Sequence, residues 1–414
     1  MRTSTLRTGI LLLVLAMVVA ACGDDNATDT STTTAAASTT AAATTTTTAA
    51  TTTTTAAPAE PILIGAILPL TGDFVSLAAD AQAGIEMAVD EINAAGGVLG
   101  RPLQAIFEDS GTDPTITINA ITKLTTSDHV SAILGSLCSG CSIQAQDTIQ
   151  AAGVPYLTVG ESSVAVSENG GEWIFQSTDA IRETVNTFIA AIDARSATSV
   201  GILASEKSEP GQELRQLLED HYAGTGTTVD SSIVQTGSTD YRPYLTKFQQ
   251  DGAQVIVSSG LVGEETGFLL RQLEDLGMTD IPVLGLVWVP SILDTASAAE
   301  VANYYFTQAY VPTDPSAANQ AFRTAFQAKT DGQDPGKYAA IAYTHMYVLA
   351  AAMELAGSTD PAAVRDQIRN VQYVGPTGQP NFNDTGLNLL KAHLAQYQNG
   401  EVVVVESGEV HYGH

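Results

Sequence analysis

The chain has 414 residues, with 45 acidic against 17 basic side chains, a formal net charge of −28, and 44% apolar and 6% aromatic residues. So acidic a balance disfavours nucleic acid and anionic surfaces as partners, yet it says little about a small ligand, because exposed charges are screened beyond about 8 to 10 Å. Beyond the N-terminal segment roughly 350 residues remain, more than one core usually covers, so two domains are expected.

The first segment carries Arg2 and Arg7 and then an apolar run over 10–20. That run is too short to cross a hydrocarbon layer of about 30 Å as a helix, so it reads as a signal peptide over 1–21. It ends in Val19-Ala20-Ala21-Cys22. These residues resemble the lipobox of bacterial lipoproteins, in which the cysteine is lipidated and becomes the mature N-terminus; the alternative is ordinary cleavage that leaves Cys22 a free thiol. Removing 1–21 takes away two arginines and no acids, leaving 15 basic against 45 acidic side chains, or −30. Residues 26–59 are almost entirely Thr, Ala and Ser, with nothing large and apolar to offset the entropy of ordering them. With Cys22 they form an expected tether over 22–59, spanning on the order of 30 to 35 Å as a coil, or a glycosylated stalk that tethers equally well.

From Ile62 onward short apolar runs alternate with longer helical patterns, as in βαβ units whose parallel sheet is covered on both faces. The spacing predicts a strand over 62–68, then a helix whose Ile85, Ala88, Val89 and Ile92 share one face and whose stop is Gly96-Gly97. A strand over 103–109 follows. Asp113-Pro114 supplies a cap and a first-turn proline for the next helix, which leads to a strand over 130–134. A helix from about Ser142 and a strand over 154–159 complete this core. The pattern then restarts: helix 181–194, strand 199–203, helix 211–222, strand 231–235, helix 244–251, strand 254–258, helix 264–277 and strand 282–287. Ligands of such sheets sit beyond the carboxyl ends of the strands, where helix N-termini present unpaired N–H groups.

Three stretches carry a resemblance: Ile64-Gly65-Ala66-Ile67-Leu68-Pro69-Leu70-Thr71-Gly72, the run 84–91, and Ile92-Asn93-Ala94-Ala95-Gly96-Gly97-Val98-Leu99-Gly100-Arg101. With Glu108-Asp109-Ser110, Asp113-Pro114, Gly135-Ser136-Leu137-Cys138-Ser139, Ala152-Gly153-Val154-Pro155, Asp240-Tyr241 and Gly375-Pro376-Thr377-Gly378, they resemble the branched-chain amino-acid binding proteins, type I periplasmic receptors of ABC importers. The likeness covers about 61–405. It implies an α/β fold of two doubly wound parallel-sheet lobes joined by a three-segment hinge, read here as 60–178 with 310–385 and 179–309 with 386–414.

Carried over by position, the resemblance puts a carboxylate-binding serine at Ser139, near a helix N-terminus that suits an anion; a plain N-cap serine is the alternative. It puts a carbonyl acceptor for the ligand ammonium at Gly160, a hydroxyl at Ser162, and the acid that pairs with the ammonium at Glu265. Acids are favoured in any first helical turn, which is the other account of Glu265. Glu161 is bulkier and more acidic than the family pattern; cleft and solvent are the two alternatives for its side chain, and solvent is the expectation because a buried unpaired carboxylate is costly. The family's first-loop tyrosine falls on Leu77 and its second-lobe tyrosine on Glu209 or Pro210, so the solute's identity stays open. Trp288 is either a pocket wall or core.

Cys138-Ser139-Gly140-Cys141 lies between a strand and a helix, where a redox-active C-x-x-C would sit. The oxidising compartment and the family's use of this loop for ligand favour a structural disulfide. The cysteine that the family places near Thr112 is missing and Cys22 is taken by lipid, so the resemblance leaves Cys138 with Cys141. No nucleophile elbow, zinc-protease helix, phosphate loop or dinucleotide fingerprint occurs, and His411 and His414 read as tail. The expectation is a monomeric, non-enzymatic receptor without cofactor or metal, held to the membrane by lipid. It binds an amino-acid-like solute and presents it to ABC permease subunits. A neutral amide or urea as solute, and sensing in place of import, are the alternatives.

Overall fold

A computed structural model describes residues 59–72, 74–176, 180–388 and 393–407, with 406 and 407 as backbone only. The leader, Cys22, the Thr/Ala-rich segment, His411 and His414 lie outside the described residues.

The first sheet consists of β1 (Ile62–Leu68), β2 (Leu103–Asp109), β3 (Ala132–Gly135), β4 (Tyr156–Thr158) and β5 (Ile174–Phe175). Its order is β2-β1-β3-β4-β5, and every pairing is parallel. The second contains β6 (Ser199–Ser205), β7 (Thr228–Val234), β8 (Val255–Ser259), β9 (Val283–Gly285), β10 (Tyr304–Gln308), β11 (His393–Gln398) and β12 (Glu401–Ser407), in the order β12-β11-β10-β9-β8-β6-β7. The β6, β7, β8, β9 and β10 pairings are parallel, and β11 and β12 add an antiparallel edge. The inner strands β1, β3, β4, β6, β8 and β9 are short and mostly apolar and buried, as sheets sandwiched between helices require, while the edge strands β2 and β7 are more polar and only partly buried.

Each lobe's helices bury one stripe. In the helix Val75–Ala94, Leu77, Ala78, Ala81, Ile85, Ala88 and Ile92 are buried. The helix Pro114–Thr126 opens as the sequence indicates: Asp113 accepts from Thr115 N at 2.8 Å and Ile116 N at 3.0 Å. The helix Ser139–Ala152 begins three residues before the expected Ser142, because Cys138 is extended and takes the N-cap place. It ends on Gly153 at φ 63°, the left-handed conformation that glycine adopts without strain.

Two features lie outside the sequence reading. The helix Lys337–Ala356 is apolar all round and buried on nearly every face, packed against Val75–Ala94 and Pro361–Ile368. Its Tyr343 and Tyr347 hydroxyls donate to Glu91 Oε2 at 2.6 and 2.9 Å. The second is the β10, β11 and β12 edge. The chain passes between the sheets after Gln176, after Gln308 and after Asn388, and the residues leading into the first and last of these passages are paired, with Asn388 N donating to Gln176 O at 2.7 Å.

Candidate functional site

The loops that follow the strands' carboxyl ends converge on one cavity. From the first lobe come Leu77, the turn Leu137–Gly140, Gly160 and Ser162, with Lys337 and Tyr338 opening the long buried helix. From the second come 207–210 at the start of the helix Glu209–Tyr222, Gly260 and Val262 after β8, and Leu286 and Val287 after β9. The lobes meet here: a Cβ on Gly140 would lie 3.0 Å from Glu209 Cγ. Ser163 Oγ donates to Glu213 Oε2 at 2.8 Å across the gap.

Ser139 is the first residue of its helix, 5% exposed, and its Oγ accepts from Ser163 N at 3.4 Å. A disulfide joins Cys138 to Cys141 around that first turn. It closes too short a loop to constrain the unfolded chain much, about 2 kcal/mol on the entropic model, so its main effect is local stiffness around Ser139. Gly160 admits no side chain, because a Cβ would stand 2.4 Å from Tyr338 Cε1 and 2.8 Å from Leu137 Cδ2. Its backbone is thereby pressed against the cavity wall, and Ser162 lies two residues on.

Glu161 corrects the expectation that it faces solvent. It is 1% exposed. Its Oε1 accepts from Ser136 N, from Ser142 Oγ at 2.9 Å and from Ser136 Oγ at 3.3 Å; its Oε2 accepts from Val159 N at 3.1 Å and Gly160 N at 3.3 Å. The cost that argued for solvent is met by donors. Burial still holds its pKa above the ordinary carboxylate range, against the pull of those hydrogen bonds.

Glu265 does not line the cavity. Its carboxylate accepts from Gly237 N and, at 3.3 Å, from Val262 N, so it fastens the β8 loop to the loop after β7. Trp288 is 8% exposed and stacks on Tyr397 at 4.4 Å and Phe306 at 5.7 Å between centroids. It faces a neighbouring depression with Asp80 and Tyr397. Leu77, Glu209 and Pro210, the positions that depart from the family's tyrosines, all line the cavity between the strand-end loops.

Sequence reasoning missed Lys207 and Lys337. Lys337 is 6% exposed with Nζ 5.3 Å from the centre of the Tyr338 ring, a cation–π distance. It is buried at the start of a mostly apolar helix that carries no motif, and only its register in the helix could have pointed to it. Among the described residues no group of three or more His, Cys, Asp or Glu could hold a metal ion.

The family model described as periplasmic binding protein matches residues 61–401. The chain belongs to the periplasmic binding protein family. Among similar curated proteins, the Leucine-, isoleucine-, valine-, threonine-, and alanine-binding protein of Pseudomonas aeruginosa is 28% identical over 336 residues, 79% of this chain and 87% of that one. The Leu/Ile/Val-binding protein homolog 1 of Brucella abortus is 29% identical over 315 residues, 73% of this chain and 81% of that one. Of solved structures, the branched-chain amino acid transporter substrate binding protein of Streptococcus pneumoniae in complex with isoleucine superposes with a TM-score of 0.76 at 25% identity, covering 83% of this chain and 98% of that one. A solute binding protein from R. palustris in complex with benzoate gives 0.75 at 15% identity, covering 84% and 96%, which shows the fold alone. As a periplasmic binding protein the chain is an extracytoplasmic solute-binding component of an ABC importer, not an enzyme, and its two-lobed α/β architecture is the type I form.

Proposed function

We propose that this receptor captures a small carboxylate with an apolar body, a branched-chain amino acid foremost, and hands it to its ABC permease. The carrying observation is the convergence of Ser139, Gly160 and Ser162 at one end of the cavity, with Leu77, Leu286 and Val287 supplying apolar wall. A hydroxyl at a helix N-terminus beside a tightly packed glycine backbone suits a carboxylate. Isoleucine, the ligand of the Streptococcus pneumoniae relative, carries that group. In this reading Glu209, which reaches the cavity from the second lobe beside Gly140, takes the ammonium role in place of Glu265. We further infer that 1–21 is cleaved, that lipidated Cys22 and the tether to residue 59 hold a monomer at the outer face of the membrane, and that the lobes divide as 60–178 with 310–385 and 179–309 with 386–414.

One observation favours a second reading. A buried cation, Lys337, borders the cavity while Glu265 lies elsewhere, an arrangement that suits a carboxylate without an amine. Titration calorimetry of the solute-stripped protein against L-isoleucine, benzoate, isoleucinamide and urea separates the readings. The first expects isoleucine to bind and to stabilise the fold by about 2.7 kcal/mol at a hundredfold excess over its Kd. Binding of benzoate alone selects the second. Binding only of the amide or urea removes the carboxylate from both.

A further inference from the structure

We propose that Glu161 is the positioning residue of the solute cavity: its carboxylate clamps the segment 136–142, a loop running into the first helical turn that carries Ser139, to the loop 159–163, which carries Gly160 and Ser162. The inference rests on the proposed carboxylate site.

The β3 and β4 ladder ends at Gly135 and Thr158, so the two loops leave the sheet where its register stops. Beyond that point Val159 N donates to Gly135 O at 3.1 Å and Ser163 N to Ser139 Oγ at 3.4 Å. The Glu161 carboxylate adds the denser connection. Oε1 gathers Ser136 and Ser142 on one loop, and Oε2 gathers the N–H groups of Val159 and Gly160 on the other. The residue's own carbonyl accepts from Gln176 Nε2 at 2.7 Å, which ties the same point to the first passage between the lobes. A side chain that merely filled space here would be apolar, since a buried carboxylate costs more than an isostere unless every lone pair is used. All the donors it gathers belong to the two loops, so what it secures is their separation, and hence the distance between the Ser139 hydroxyl and the Gly160 backbone.

Hydrogen exchange and calorimetry on the full mature chain test this with Glu161→Gln and Glu161→Ala. In the Gln variant one carboxamide atom still accepts while the other becomes a donor facing donors. Exchange should therefore rise in one loop and not in both, with the amides of β6 and β8 unchanged. In the Ala variant both loops should exchange faster, and affinity for L-isoleucine should fall on the order of tenfold or more, with the Gln variant recovering part of it. Unchanged loop exchange in both variants, or exchange rising equally throughout the molecule, overturns the clamp. If the Ala variant does not fold, the one-sided response of the Gln variant decides alone. Should wild type bind neither isoleucine nor benzoate, the carboxylate site is wrong, while the exchange pattern still reports on the clamp.

Discussion

His345 lies in the middle of the buried helix Lys337–Ala356, fully enclosed, and burial pushes its imidazole pKa down to about 3 from 6.5. It stays neutral in the fold while the unfolded chain takes up a proton below 6.5, so stability falls as pH drops from 6.5 towards 3. Asp80 acts in the opposite direction. Half-buried, and accepting from Gly336 N at 3.0 Å and Ala339 N at 2.9 Å, it is raised by burial from 3.8 to about 6. The native form holds that proton longer than the unfolded chain, so its contribution favours the fold as pH falls from 6 to 3.8. His345→Leu should therefore flatten the acid limb, gaining about 2 kcal/mol relative to wild type between pH 7 and pH 5 in urea titrations. An unchanged difference between the two proteins across that range would show that His345 takes up its proton in the fold as readily as in the unfolded chain. At this scale Ser139, Gly160 and Ser162 come from the family resemblance and not from the residues alone, and the structure places all three on the cavity lining. Glu161 and Glu265 are not on that lining. Which way a carboxylate turns depends on backbone N–H groups supplied by other loops, and those donors lie far off in sequence or leave no trace in it.

Among the elements, helices with one apolar stripe were legible and the helix apolar all round was not, because periodicity vanishes when every face is buried. The β11 and β12 edge was missed for a different reason: its strands follow the long helical stretch from Lys337 to Ile368, so no neighbouring βα pattern frames them. The contact between the legible helix Val75–Ala94 and the illegible Lys337–Ala356 has one point of closest approach, Gly84. A Cβ there would fall 2.2 Å from Ala339 O and 2.8 Å from Ala339 C, both backbone atoms that cannot rotate away. Alanine would gain up to about 1 kcal/mol of helix propensity. Forcing the two helices apart should outweigh it, for a net loss of about 1 to 3 kcal/mol in Gly84→Ala. Equilibrium urea unfolding should show a lower midpoint at unchanged slope. A midpoint at or above wild type would mean the helices separate without cost.

For the molecule as a whole, the two lobes were readable from chain length and the restarted βα pattern, but the contacts that hold them together were not, since each joins residues with no shared motif. Two such contacts lie near the first passage between the lobes. Arg182 meets Glu168 at 2.7 Å with both side chains well exposed, a pair worth little against solvent. Ser163, 4% exposed, donates to the half-buried Glu213 at 2.8 Å. Burial raises the pKa of Glu213, which marks its surroundings as poorly hydrated. A hydrogen bond to a carboxyl group there is worth about 1 to 2 kcal/mol. If the bond forms only when the lobes close, its loss shifts the population towards the open state, and apparent affinity falls by the closed fraction lost, about 5- to 30-fold. Ser163→Ala should thus bind its solute more weakly and show a larger radius of gyration in solution scattering without solute, while Arg182→Ala changes either quantity less than about twofold. Weaker binding at an unchanged radius would place the effect of the Ser163 hydroxyl within the solute site and not in closure.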